Sequence, residues 1–243
     1  MIISPLEQFT VFKLISFISF TNSSLLAVFS CLTCFFLYTL VALEARLLSN
    51  VWQTFTEGLY HFIYSNVLTE NVKKDGNFYF PVLVSIFSFI LFCNLLGMIP
   101  YSFTVTSHIA VTLALATMAF VGINVIGIKT HGFHMLSLFL PSGAPIALAP
   151  LLIAIEVVSY SFRVISLALR LFANMMSGHC LLKILAGFGW TMLSSGGVLS
   201  VIHIMPLLVI FAIIGLELSI AFLQAYVFTV LLCIYLNDAI SLH

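Results

Sequence analysis

APIALAPLLIAIEVVSYSFRVISLALRLFANMMSGHCLLKIL, residues 144–185, is an apolar run that an ordinary membrane anchor would not tolerate, because it carries Glu156, Arg163, Arg170, His179 and Lys183. Its only prolines, Pro145 and Pro150, stand at the start, so the pattern predicts a single helix of roughly 40 residues. At ~1.5 Å per residue such a helix is about 60 Å long, twice a hydrocarbon core of ~30 Å, and it must cross steeply tilted. Taking ~100° per residue, Arg163 falls about 20° from Arg170 and Glu156 about 40°, and Ser159, Ser166, Asn174 and Ser177 share that side. An intramembrane charge costs at least ~2.5 to 3.5 kcal/mol on insertion scales, so this stripe has to face protein or water.

Past a break at Gly187, Gly189, Gly196 and Gly197, a second apolar stretch of similar length runs from Val198 to Asp238, interrupted only by Pro206. Glu217 and Gln224 are seven apart and share one helical face, joined approximately by His203, Tyr235 and Asp238. Residues 144–240 are therefore expected to form a long, tilted hairpin whose two polar seams confront each other. Lys183 and Asp238, near helix ends, are expected to snorkel to the interface.

The remainder of the chain agrees with a lipid solvent. Of its 243 residues 62% are hydrophobic and 7% charged, against about a quarter charged in a soluble domain. Lys+Arg 8 balance Asp+Glu 8, which leaves no basic field to hold nucleic acid. No Asp, Glu, Lys or Arg lies between Lys13 and Glu44 or between Asp75 and Lys129. The first gap predicts a transmembrane helix over 14–43, with no signal-peptide pattern before it. The second is divided by Asn94, Gly97, Pro100 and the polar Ser102 to His108, so it predicts a transmembrane hairpin over 78–128. Residues 48–70 alternate apolar positions with Gln53, Glu57, His61 and Asn66, as a helix lying on the membrane surface does. The chain thus reads as one all-α membrane domain, 1–243, with about five embedded helices and one interfacial amphipathic helix. Arg46, Lys73, Lys74 and Lys129 place the 45–77 and 130–143 connections inside and the N-terminus outside.

Few residues outside the final hairpin suggest chemistry. Cys31, Cys34, Cys93, Cys180 and Cys233 lie mostly in apolar runs and read as small hydrophobes; the Cys31–Cys34 spacing lacks the βαβ context of a redox motif. His131 and His134 could bind a metal, but with no Cys or carboxylate nearby a loop role is preferred. His108 and His203 read as turn or packing residues. No G-x-x-x-x-G-K-[ST] phosphate loop is present.

The run Ser166-Leu-Ala-Leu-Arg170-Leu-Phe-Ala-Asn174-Met-Met-Ser-Gly178-His179 resembles the arginine segment of subunit a of the rotary F-type ATP synthases. Glu-Leu-Ser-Ile-Ala-Phe-Leu-Gln-Ala-Tyr, carrying Glu217 and Gln224, is similar to that family's last helix, and Cys93-Asn-Leu-Leu-Gly-Met-Ile-Pro100 to its earlier hairpin turn. Many bacterial members have an acid where His179 stands and a histidine where Glu217 stands; the exchange here resembles the mitochondrial arrangement, as does Ser4-Pro-Leu-Glu-Gln-Phe9.

That resemblance implies a proton-translocating stator subunit that is not itself catalytic and carries no cofactor or metal. It implies the subunit c ring, other stator subunits and membrane lipid as partners, and the mitochondrial inner membrane as location, with a bacterial plasma membrane as the alternative. Arg170 is then the proton gate, supported by Asn174, Gln224 and Ser166. His179 with Glu217 would line an outer half-channel, and Glu156, Ser159 and Arg163 an inner one. A guanidinium keeps its charge at any physiological pH, so it can attract an anion but not relay a proton. The competing reading is a structural multi-pass subunit of a respiratory complex, in which the charges only fix packing. A haem protein or a self-contained carrier is less well supported, since facing histidine pairs and internal repeats are both missing.

Overall fold

A computed structural model gives the architecture; it describes residues 4–15, 20–43, 49–72, 76–99, 102–132, 135, 149–197 and 202–240. Arg46, Lys73, Lys74 and His134, together with the 144–148 start expected for the long helix and the Val198 start expected for its partner, lie outside those residues. The N-terminal segment holds a turn of tight helix, Pro5–Phe9, and a short antiparallel ladder of β1 (Lys13–Ile15) and β2 (Phe20–Thr21).

Helix α1 spans Asn22–Leu43. It starts later than position 14 because polar residues make a reciprocal cap there: Ser24 N donates to Thr21 Oγ1 at 3.4 Å and Thr21 N to Ser24 Oγ at 3.0 Å, satisfying amides that have no partner inside a helix. The amphipathic segment follows as α2, Val51–Ile63, continuing through a wide π turn at Tyr64–Leu68 and a last turn at Thr69–Asn71. It buries Thr56, Ile63, Val67 and Leu68 and exposes Trp52, Tyr60 and the hydrogen-bonded pair Gln53 and Glu57. The hairpin is α3, Gly76–Gly97, and α4, Ile109–His131.

The two longest helices close the chain: α5, Ala149–Ser195, of 47 residues, and α6, Ile204–Ile240, of 37. At ~1.5 Å per residue they measure about 70 and 55 Å, well over the ~30 Å apolar core. Gly187 and Gly189 do not break α5, contrary to the sequence expectation; nothing crowds Gly187, and Gly189 faces Pro206 of α6 at an ordinary contact distance. The turn comes at Gly196 and Gly197, whose φ of 71° and 66° fall in the left-handed region that favours glycine. Pro206 sits in the first turn of α6, where a missing amide costs nothing.

Among the described residues five helices, α1 and α3 to α6, are long and apolar enough to cross a membrane, and the protein is an all-α, multi-pass chain. Helix α6 packs on α3, α4 and α5, α4 packs also on α5, the π turn packs on α6, and α1 lies against α3. The core between them is Phe87, Ile90, Leu167, Leu171, Phe228, Leu232 and their neighbours. This packing leaves α5 half covered: Val164, Leu167, Ala168, Leu171 and Met175 are buried, while Ser159, Ser166, Arg170 and Ser177 stand exposed.

Candidate functional site

Arg170 projects from the open face of α5 and, among the described residues, makes no hydrogen bond or ion pair. One turn on, Asn174 Nδ2 donates to Gln224 Oε1 of α6 at 3.0 Å. Gln224 is buried, so its amide is held and the bridge pins α5 to α6 beside the arginine. Ser159 and Ser166 are exposed on the same side of the helix and bond to neither residue.

Toward the C-terminal end of α5 the polar groups turn inward. His179 lies nine residues beyond Arg170, about 14 Å along the axis and half a circle round it. Its Nε2 is 3.0 Å from Thr104 Oγ1. Thr104 belongs to the polar segment between α3 and α4, which folds back into the bundle beside α5. It can do so because Gly97 has no side chain: a Cβ there would sit 2.6 Å from Thr104 Cγ2. Asn94, fully buried, donates to the Ala221 carbonyl at 3.2 Å and accepts from Thr106 Oγ1 at 2.9 Å.

Glu217 enters the same region from α6. It is buried, and neither carboxylate oxygen has a hydrogen-bond partner. Its carboxyl group rests directly on Gly178, where a Cβ would collide with Oε1 and stand 2.9 Å from Cδ and 3.1 Å from Cγ. Glu217 is thus seated on the residue preceding His179, but the two side chains form no ion pair, since His179 is turned to Thr104.

Toward the other end, from about 10 Å (Arg163) to about 21 Å (Glu156) from Arg170 along α5, the charges are paired. Arg163 reaches Glu156 Oε1 and Asp238 Oδ2, each at 3.8 Å, and lies over the rings of Tyr160 and Tyr235 at 5.6 and 5.2 Å. Tyr160 donates to Asn124 Oδ1 of α4 at 2.7 Å. Asp238 pairs across the α5–α6 contact because α6 runs antiparallel and brings its last turns beside Arg163. Lys183 donates to the Ser4 carbonyl at 3.3 Å, tying the N-terminal segment to α5.

The fold brings Arg170 next to Asn174 and Gln224, Glu217 next to Gly178 and His179, and Glu156 next to Arg163. Among the described residues, Ser159 and Ser166 make no hydrogen bond to any of them. Sequence reading missed Thr104, Thr106, Asn94 and Gly178 as parts of the site; the polar run 102–108 inside an apolar gap was their available signal. His131 Nε2 contacts the Ile240 carbonyl at 2.7 Å, His108 stacks on Phe103 with centroids 5.0 Å apart, and His203 stands at the turn before α6. A charged group on an open face of α5, with Glu156 and His179 displaced along the same helix to either side of it, can hold an external anion.

Comparison with known proteins identifies the family. The family model described as ATP synthase A chain matches residues 12–237. ATP synthase subunit a of Marchantia polymorpha is 50% identical over 99% of both chains. The subunit a of Chondrus crispus is 51% identical over 100% of this chain and 98% of its own, and that of Brassica napus 49% over 99% and 97%. Matched almost end to end by relatives of its own length, the chain belongs to the ATP synthase subunit a family.

Proposed function

We propose that this chain is the stator proton-channel subunit of a rotary F-type ATP synthase in the mitochondrial inner membrane. It feeds and drains a ring of c subunits without performing catalysis itself. The observation that carries the reading is Arg170: a guanidinium at mid-helix, exposed and unpartnered among the described residues. Lipid cannot compensate that charge, so the open face of α5 has to meet water or another chain, and an acid of a c subunit meets the need.

In this reading a ring carboxylate arriving at Arg170 loses its proton in the guanidinium's field and is reprotonated only after rotation carries it past. The Asn174–Gln224 bridge holds the helix pair at that point, and Ser166 hydrates the contact. Protons enter through the outer half-channel of His179 and Glu217, now extended to Thr104, and leave through the inner one of Glu156 and Ser159. Arg163 holds Glu156 and Asp238 in place there. The separation of the two ends prevents a direct leak. Each proton crossing 100 mV releases about 2.3 kcal/mol, available for rotation and ATP synthesis elsewhere in the complex.

The test is Arg170→Ala in the assembled complex. ATP-driven proton pumping should vanish while the complex still assembles, with a passive leak through the channels. Normal pumping would refute the gate and favour a structural subunit whose charges serve packing.

A further inference from the structure

The last turns of α4 bear a stripe of residues that the proton path does not use. Phe120, Asn124, Gly127 and His131 follow one another at spacings of four, three and four, which puts them on one side of the helix. The first two hold α5. Phe120 and Tyr160 meet with ring centroids 4.7 Å apart, and Asn124 Oδ1 accepts from the Tyr160 hydroxyl at 2.7 Å. Asn124 Nδ2 donates to the Phe120 carbonyl at 2.9 Å, so its own helix fixes the amide with the oxygen toward Tyr160. The last two hold α6. Gly127 lies against Ala239, since a Cβ on it would stand 3.4 Å from the Ala239 Cβ. His131 Nε2 is 2.7 Å from the Ile240 carbonyl. A carbonyl only accepts, so Nε2 carries the hydrogen. Ile240 ends α6, where carbonyls have no partner inside the helix.

These two attachments bracket Arg163. Tyr160, whose ring lies 5.6 Å from its guanidinium, is three residues before it on α5; Asp238, its partner at 3.8 Å, is two residues before Ile240 on α6. We propose, on the reading of Glu156 and its surroundings as the inner half-channel, that His131 is a positioning residue for that channel. By capping α6 it sets the register at which the last turn presents Asp238 to Arg163, and through Arg163 the place of Glu156. A cap that only stopped fraying would act whatever stood at position 238. A register set for Asp238 matters only while Asp238 is there.

In the assembled complex His131→Ala should lower ATP-driven proton pumping about 2- to 10-fold, the range that loss of one hydrogen bond allows. His131→Gln, which keeps a nitrogen donor at similar reach, should restore most of it. The discriminating measurement is the cycle with Asp238→Asn, to whose loss His131→Ala should add nothing further. The seat itself is read without proton flux. Gly127→Cys with Ala239→Cys places two thiols on Cβ positions 3.4 Å apart, close to disulfide distance; Met135, which also touches that point, has a flexible end that gives way. Mild oxidation should join the two peptides, and several-fold less so when His131→Ala is added. Joining unchanged by His131→Ala would overturn the proposal, and so would a pumping loss that adds in full to that of Asp238→Asn. Should His131→Ala fail to assemble, His131→Asn, too short to reach the carbonyl, stands in its place under the same two criteria. Normal pumping by Asp238→Asn, with joining reduced by His131→Ala, would instead sink the inner-channel reading and leave the register of α6 standing.

Discussion

Gly178→Ala adds one methyl group at the point where α6 presses its buried acid onto α5. The new Cβ would stand 2.9 Å from Glu217 Cδ and 3.1 Å from Cγ, and would overlap Oε1. The carboxyl carbon must therefore recede by about half an ångström and the oxygen by more. Overpacking of this kind costs ~1–3 kcal/mol, offset by ~1 kcal/mol from alanine's better helix propensity, so the complex should still assemble. The acid, however, no longer sits where it does beside His179. A displacement approaching 1 Å lowers rates by up to ~100-fold, so proton flux should fall about 10- to 100-fold. The assay is ATP-driven proton pumping in inverted vesicles, beside ATP hydrolysis by the detached head as a measure of assembly. Gly187→Ala, on the same helix with nothing within 4 Å of its Cβ, is the control and should pump normally. Normal pumping by Gly178→Ala, or an equal loss in Gly187→Ala, would refute the claim that Glu217's seat matters.

Glu217→Gln preserves shape but removes the titratable group; pumping should fall severely with assembly intact, and unchanged flux would exclude Glu217 from the path. Thr104→Val keeps the methyl group against Gly97 but deletes the hydroxyl facing His179 Nε2, a contact worth ~0.5–1.5 kcal/mol. Proton flux should drop several-fold and recover in Thr104→Ser; the absence of any effect would remove Thr104 from the outer channel. Asp238→Asn breaks one of the two ion pairs of Arg163, whose side chain is 28% exposed against 44% for Asp238. Solvent screens so open a pair, so thermal stability should change by less than ~1 kcal/mol, which a melting curve of the purified complex would check.

Periodicity alone located the helices because lipid imposes one rule: a backbone in hydrocarbon must bond within its own segment, so long apolar runs become helices. The polar stripe through Glu156, Arg163, Arg170 and Asn174 was legible for the same reason, since 3.6 residues per turn is a local property. The approach of Glu217 to Gln224's side of α6 and the half-circle offset of His179 were likewise readable from spacing. Which members of a stripe find partners is a different matter. Arg163 and Arg170 share a face, yet the antiparallel return of α6 delivers Asp238 to the first and, among the described residues, no acid to the second. The inward fold of Thr104, the seat of Glu217 on Gly178 and the continuity of α5 past Gly187 and Gly189 depend on atoms far apart in the chain, where no local pattern carries a signal. Sequence by itself determined that there would be helices in lipid bearing an unaffordable row of charges. Tertiary packing decided which of those charges is satisfied at home and which one, Arg170, is left facing outward.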